Sequence, residues 1–383
     1  MINRAIESAV HAALSSGKAV VLLGARQVGK TTLAEMLFTS QPGTLWLSGD
    51  EPDVRVMFEN INSNRLRAVI GDATVVVLDE AQRIPDIGIK LKLITDQLKN
   101  IKLLATGSSS FELAGLLGEP LTGRKREFVL YPLSFGEMVS HHGLLDEIRL
   151  LNHRLVFGYY PEIVNSPGAE RELLSEISGS YLYKDILALD RIKKSDQMTR
   201  LLRALAFQIG SQVSYTEIGR LCGLDTKTTQ RYIDVLEKAF VVFRLGSYSR
   251  NLRNELKASR KIYFADNGIR NSVVADYRPA ELRDDIGKLW ENFLVSERIK
   301  RNRYLDNHAG SWFWRTHQQQ EIDYIEELDG SLNAYEFKWN PLAKTKGVKT
   351  FLEAYPNGSL SVVHRDNFDG FLLADKPQLK IES

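Results

Sequence analysis

Over roughly the first 135 positions, short apolar runs alternate with helix-length amphipathic stretches. AVVLL (19–23), TLWLS (44–48), TVVVLD (74–79) and IKLLATG (101–107) show little of the polar alternation of a half-solvated strand. Strands apolar on both faces, separated by helical segments, predict an α/β fold with a parallel sheet covered on both sides. After YPLSFGEM (131–138) the strand patterns stop, and helical sequence runs to about 239, punctuated by FGYYPEIVNSPG (157–168). From about 288 a helix, KLWENFLVSERIKRNR, precedes three strand candidates, SWFWRT, EIDYIEE and NAYEFKW, with LDG (328–330) as the turn between the last two. The pattern predicts four segments: an α/β domain over 1–140, a helical lid and connector over 141–200, a helix-turn-helix region over 201–275 and a second α/β domain over 276–383.

A chain of 383 residues exceeds what one core usually serves. Its 50 basic and 48 acidic residues leave a net charge of +2, so no global field draws it to nucleic acid or membrane, and any basic surface is local. The single cysteine, Cys222, excludes an intrachain disulfide, and with seven scattered histidines it argues against structural zinc. No run approaches the length of a membrane helix, and Arg4 and Glu7 interrupt the start where a signal peptide would be apolar. The expectation is a cytoplasmic protein without membrane association.

Candidate chemistry begins at GARQVGKTTL (24–33), directly after the first strand. The spacing G-x-x-x-x-G-K-[ST] wraps backbone N–H groups around phosphate oxygens. Gly24, Ala25, Arg26, Gln27, Val28, Gly29, Lys30, Thr31 and Thr32 form the expected cradle. Lys30 is placed to reach the β- and γ-phosphates, and the Thr31 hydroxyl to bind Mg²⁺. The third strand closes in Asp79 and Glu80, the first suited to the Mg²⁺ shell and the second to polarising a water. Ser108, closing the next strand, either reaches the γ-phosphate or water, or caps a following helix at FELAGLL.

In their order and spacing, GARQVGKTTL, LDEAQRIPD, LLATGSSS and YPLSFGEM resemble the AAA-type ATPases of bacteria and archaea that carry a C-terminal domain of uncharacterised function. The resemblance implies ATP and Mg²⁺ as ligands, and an additional strand between the two that carry the phosphate loop and the acid pair. It also implies an arginine beyond the Ser108 strand, often supplied by a neighbouring subunit of an oligomer. Arg124 in LTGRKRE holds that place, with Arg126 close by; the alternative is a solvated basic turn. Ser108 stands where such proteins commonly have Asn, and Tyr159 where a second Gly is frequent at the lid entry.

SYTEIGRLCGLDTKTTQRYIDVLEKAFVVFRL (214–245) has the grammar of a winged helix-turn-helix. Tyr215, Ile218 and Leu221 are expected to face inward, Gly223 to turn, and Asp225 to cap a second helix whose Lys227, Thr228, Gln230 and Arg231 suit phosphates and base edges. Arg250, Arg253, Lys257, Arg260 and Lys261, against Glu255, add a local basic surface on the connection between two wing strands. Near the C-terminus, Asp323 with Glu336 and Lys338 is spaced as in PD-(D/E)xK nucleases, so the fold expectation there is restriction-endonuclease-like. Asp323 and Glu336 would hold a divalent metal, Lys338 shares the Glu336 face by the period of two, and Glu291 is a further candidate ligand. An ordinary strand-edge Glu–Lys ion pair is the plainer alternative.

Three functions remain open from sequence: an ATPase coupled to binding and cutting of double-stranded DNA, an ATP-dependent switch that binds DNA or a protein partner without cutting, and a protein that keeps its nucleotide as a structural ligand.

Overall fold

Ala19, Val21 and Leu23 of β1 (Ala19–Leu23) face one core and Val20 and Leu22 the other, so the strand is buried from end to end, as its unbroken apolar sequence requires. The structure is a computed structural model describing residues 1–38, 41–59, 61–108, 121–182, 195–249, 260–316, 318–345 and 347–373. The expected helix at FELAGLL and the basic residues Arg250, Arg253 and Lys257, with Glu255, lie outside the described residues. By internal packing the chain divides into two units, one built on Met1–Leu133 and the other on Ser134–Ser180, Lys193–Glu237 and Val241–Ser383.

In the first unit, α1 (Glu7–Leu14), β1, α2 (Lys30–Phe38), β2 (Thr44–Ser48), α3 (Pro52–Glu59), α4 (Ser63–Ile70), β3 (Val75–Asp79), α5 (Ile87–Gln97), β4 (Lys102–Gly107) and β5 (Lys125–Val129) follow one another. The strands form one wholly parallel sheet in the order β2-β3-β4-β1-β5. Thus β4 lies between the strand that enters the phosphate loop and the strand that ends in Asp79. Val54 and Phe58 of α3, Leu66 and Ile70 of α4 and Leu91 and Ile94 of α5 close one face, while α1 and α2 lie against β1 and β4. β5 is an addition to the sequence reading. KREFV places three charged residues among five, yet pairs with β1 from Ala19↔Lys125 to Leu23↔Val129, because an edge strand needs only one side of its backbone covered.

The second unit carries a seven-stranded sheet in the order β12-β11-β10-β9-β7-β8-β6. β7 (Val242–Ser247) and β8 (Arg260–Phe264) form an antiparallel pair, and β6 (Gln212–Val213) adds to β8. β9 (Gly310–Arg315), β10 (Glu321–Leu328) and β11 (Ser331–Lys338) run as a meander, with Asp329 and Gly330 both at positive φ in the tight turn that D-G favours. β12 (Ser359–His364) adds in parallel to β11. Pairing of Gly246 with Trp312 and of Ser247 with Phe313 joins β7 to β9, so segments 201–275 and 276–383 share one hydrogen-bonded sheet.

The helix Ile286–Tyr304 supplies this unit with buried charge. Arg298 grips Glu326 of β10 with Nε and Nη2 at 2.7 and 2.6 Å, and Asn302 and Tyr324 also donate to that carboxylate. Both charges are about 95% buried, and removing one would strand the other away from water. Arg298→Ala is therefore expected to cost the unit about 3–5 kcal/mol in urea denaturation, whereas Arg298→Met with Glu326→Leu should recover most of it.

Candidate functional site

The phosphate loop is shaped by backbone requirements before any side chain acts. A Cβ on Gly24 would lie 2.2 Å from the Leu130 carbonyl oxygen, Gly29 sits at φ +94°, and Gln27 adopts a left-handed φ of 61°. Buried Lys30 turns back across the loop, its Nζ donating to the carbonyls of Gly24 at 3.0 Å and Ala25 at 2.7 Å. Arg4, absent from the sequence expectation, braces the loop from outside. Its guanidinium donates to the Val28 carbonyl at 2.6 Å and to the Tyr131 carbonyl at 2.7 Å. Its only signal in the sequence is a charge in the short stretch MINRAI at the start of the chain.

Parallel pairing brings the exits of β1, β3 and β4 to the same edge, with Leu23 opposite Gly107 and Leu78 opposite Ala105. There the Thr31 hydroxyl donates to Asp79, 3.2 and 3.1 Å from its two oxygens, and Thr106 donates to Oδ1 of the same carboxylate. Thr106 also accepts the Glu80 backbone N–H at 3.2 Å, so one buried hydroxyl fixes both acids. Glu80 itself is left-handed, φ 46° and ψ 42°, a strained conformation for a residue with a Cβ. Gln82 bridges it to the β4 exit: its amide donates to Glu80 Oε2 and, at 3.1 Å, to Ser108 Oγ. Among the described residues, both Gln27 Oε1 and Gln82 Oε1 are buried with no hydrogen-bond partner. Thr106 and Gln82 flank the expected residues in LLATGS and LDEAQR, where proximity was the only cue.

Arg124 lies elsewhere. Its backbone carbonyl accepts from Ala19 at the entry of β1, and its Nε pairs with Asp96 at 2.6 Å; Arg126 pairs alongside Val20. The phosphate loop leaves the other end of β1, about five residues or roughly 16 Å along the strand. Within one chain Arg124 is remote from the loop, because β5 enters the sheet from the edge opposite the strand exits.

In the second unit, the helix Tyr215–Cys222 ends at Gly223 in a left-handed cap, and the Asp225 carboxylate accepts the Thr228 N–H and hydroxyl at 2.9 and 2.6 Å. The helix Thr226–Lys238 then leaves Lys227, Gln230 and Arg231 exposed and Thr228 partly so. Leu221 corrects the sequence reading: it is 67% exposed, and Ile218, Gly219 and Cys222 form the inner face instead. Gly219 is where the two helices meet, since a Cβ there would sit 2.4 Å from Thr229 Oγ1.

Tyr159 is buried, its hydroxyl donating to Glu147 at 2.6 Å and its N–H to Asp266; burial and the Glu147 charge hold the phenol well above its usual range. Lys261 also departs from expectation. Instead of joining a basic surface it is buried, pairing with Glu291 at 2.8 Å and with Glu321, and lying 3.9 Å from Asp323. Asp323 accepts the Phe337 N–H at 2.8 Å, and Lys338 pairs with Glu336 at 2.6 Å, so the sheet brings the three nuclease-pattern residues and Glu291 into one neighbourhood. Burial raises Asp323 well above the usual carboxylate range, Glu291 and Glu336 add to the rise, and burial raises Glu336 too. Trp314 and Tyr324 are buried, and Trp312 and Trp339 are half-buried.

Comparison with known proteins fits the first unit. A family model described as an AAA domain matches residues 16–139, and two domains of unknown function match 148–280 and 286–372. The Walker-type ATPase of Pyrococcus abyssi superposes with a TM-score of 0.50 at 16% identity, covering 72% of this chain and 96% of that one, which shows a common fold. Residues 16–139 form an AAA-type P-loop domain. An uncharacterized protein of Mycobacterium tuberculosis is 27% identical over 330 residues, covering 85% of this chain and 71% of its own. An uncharacterized protein of Haemophilus influenzae is 28% identical over 236 residues, 59% of this chain and 56% of its own.

The Arg4 brace carries a prediction for this domain. Losing charge-assisted hydrogen bonds of about 1.5–3 kcal/mol should let the Val28 peptide turn. Arg4→Ala is expected to weaken binding of a fluorescent ATP analogue by about tenfold or more in equilibrium titration, with a smaller change for Arg4→Lys.

Proposed function

We propose that the protein is a Mg²⁺-dependent ATPase. The observation that carries this reading is the convergence of Thr31, Asp79, Glu80 and the buried Gln82 Oε1, without a hydrogen-bond partner among the described residues, at one sheet edge. The residues fit a magnesium triphosphate. Thr31 Oγ1 and the Asp79 carboxylate supply oxygen donors of the kind Mg²⁺ takes, directly or through water. The loop amides and the α2 N-terminus suit the phosphates, and Lys30 would exchange its two carbonyl partners for phosphate oxygens.

Bound there, Mg²⁺ would neutralise charge on the phosphate oxygens. The chain's own residues would do the rest. Glu80 would orient a water toward the γ-phosphorus and accept its proton as the bond from that phosphorus to the β,γ-bridging oxygen breaks, releasing ADP and phosphate. Gln82 Oε1, with no partner among the described residues, would accept a hydrogen bond from that water's other O–H, and Ser108 would set the Gln82 amide. Gln82 and Ser108 together thus fill the position given in sequence to Ser108 alone. A contribution from Arg124 would have to come from a neighbouring subunit. The buried Cys222 thiol and the absence, among the described residues, of any helix long and apolar enough to cross a membrane are consistent with a cytoplasmic setting.

A DNA-contacting role for the winged helix-turn-helix is supported by one observation, the exposed row Lys227, Gln230 and Arg231 on the capped second helix. Its test is duplex binding that falls steeply with salt and weakens in Lys227→Ala with Arg231→Ala. Cutting by the restriction-endonuclease-like region has less support. Among the described residues, no three carboxylate, imidazole or thiol groups are placed to hold a metal, and Lys261 already engages the carboxylates.

Phosphate release tests the reading. Glu80→Gln should lower kcat by about 10²- to 10⁴-fold while ATP still binds, and Lys30→Ala should lose both binding and turnover. Turnover unchanged in Glu80→Gln would favour a structural nucleotide instead.

A further inference from the structure

The carboxylates gathered on the second sheet are held around a cation the chain itself provides. Lys261 projects from β8 with 1% of its side chain exposed, and its ammonium lies over the Phe313 ring as well as against Glu291, Glu321 and Asp323. Each acid has a second tether that fixes it toward this point. The Tyr263 hydroxyl donates to Glu291 at 2.7 Å, Arg315 pairs with Glu321 at 3.2 Å, and the Phe337 N–H holds the other oxygen of Asp323. Gly210 leaves room for the Glu291 carboxylate, since a Cβ there would approach it to 3.2 Å.

Counting Glu336, among the described residues four carboxylates face the three cations Lys261, Arg315 and Lys338, and the shortfall shows at one atom. Glu336 is about 95% buried, and among the described residues its Oε2 has no hydrogen-bond partner while Oε1 binds Lys338. A divalent ion bridging Asp323 and Glu336 would have to share this pocket with an ammonium already in contact with the acids. Two positive groups within one buried cluster repel strongly at low dielectric.

We propose that Lys261 is the resident cation of this carboxylate cluster, standing where a metal-dependent nuclease would bind its divalent ion, so that the wild-type site takes no Mg²⁺ or Mn²⁺. The inference does not depend on the ATPase reading. Lys261 joins β8 to β10 and to the helix Ile286–Tyr304 through charge, which gives the cluster an architectural role without hydrolytic chemistry.

Mn²⁺ titration followed by electron paramagnetic resonance tests this directly, in an Asp79→Asn background so that the first unit contributes no carboxylate at its magnesium position. The expected result is no saturable Mn²⁺ site that Asp323→Asn removes; a saturable site lost on Asp323→Asn would overturn the proposal. A second arm reads coupling. Lys261→Met should lower the Tm of the full chain by about 10 °C, and adding Glu291→Gln should restore part of that loss by removing the stranded acid. Losses that simply add would overturn the assignment. Should Lys261→Met fail to fold, the Mn²⁺ titration alone decides.

Discussion

The Asp79 carboxylate is the point on which the first unit turns. It receives the Thr31 hydroxyl from the start of α2 and the Thr106 hydroxyl from β4, so a single acid ties together the ends of β1, β3 and β4. Each strand reaches this place only because the sheet is parallel and the order puts β4 in the middle. Thr106 then passes the constraint to the backbone of left-handed Glu80, whose carboxylate is held by the Gln82 amide. Two adjacent acids thereby acquire different surroundings, one among hydroxyls and one beside an amide. That difference is what lets the proposed mechanism give them different roles.

The parts legible in the sequence were those written in local pattern. β1 to β4 announced themselves because a strand buried on both faces cannot alternate, and the loop because only Gly tolerates the approach of Leu130 at position 24. The Asp329-Gly330 turn was legible for the same reason. β5, β6 and β12 were not. KREFV is an edge strand that charge disguises, QV is two residues long, and SLSVVH pairs in parallel with a strand more than twenty residues earlier. Arg4, Thr106 and Gln82 are silent in one dimension because their partners are carbonyls and side chains brought together by the fold.

Lys261 shows the same limit from the other side. Its neighbourhood in sequence, with Arg260 beside it and a basic segment before it, suggests an exposed patch. Its neighbourhood in space consists of acids drawn from positions 291, 321 and 323. Together with the Arg298–Glu326 pair, it makes the second unit one in which buried charges on helix and sheet must be matched at once. Such matching penalises alternative registers of β10 and β11, since a slip by one residue would turn Asp323, Glu326 and Glu336 to the opposite face. The continuity of β7 with β9 extends that single register across the whole sheet.

The central claim is that Thr31 and Asp79 share a magnesium ion with a triphosphate held by the loop. Calorimetric titration of ATP with Mg²⁺ and with EDTA, in wild type and in Asp79→Asn, tests it most directly. The account predicts that Mg²⁺ tightens ATP binding to the wild type by about tenfold or more and that Asp79→Asn erases the difference. A magnesium-dependent gain that survives Asp79→Asn undiminished would contradict it.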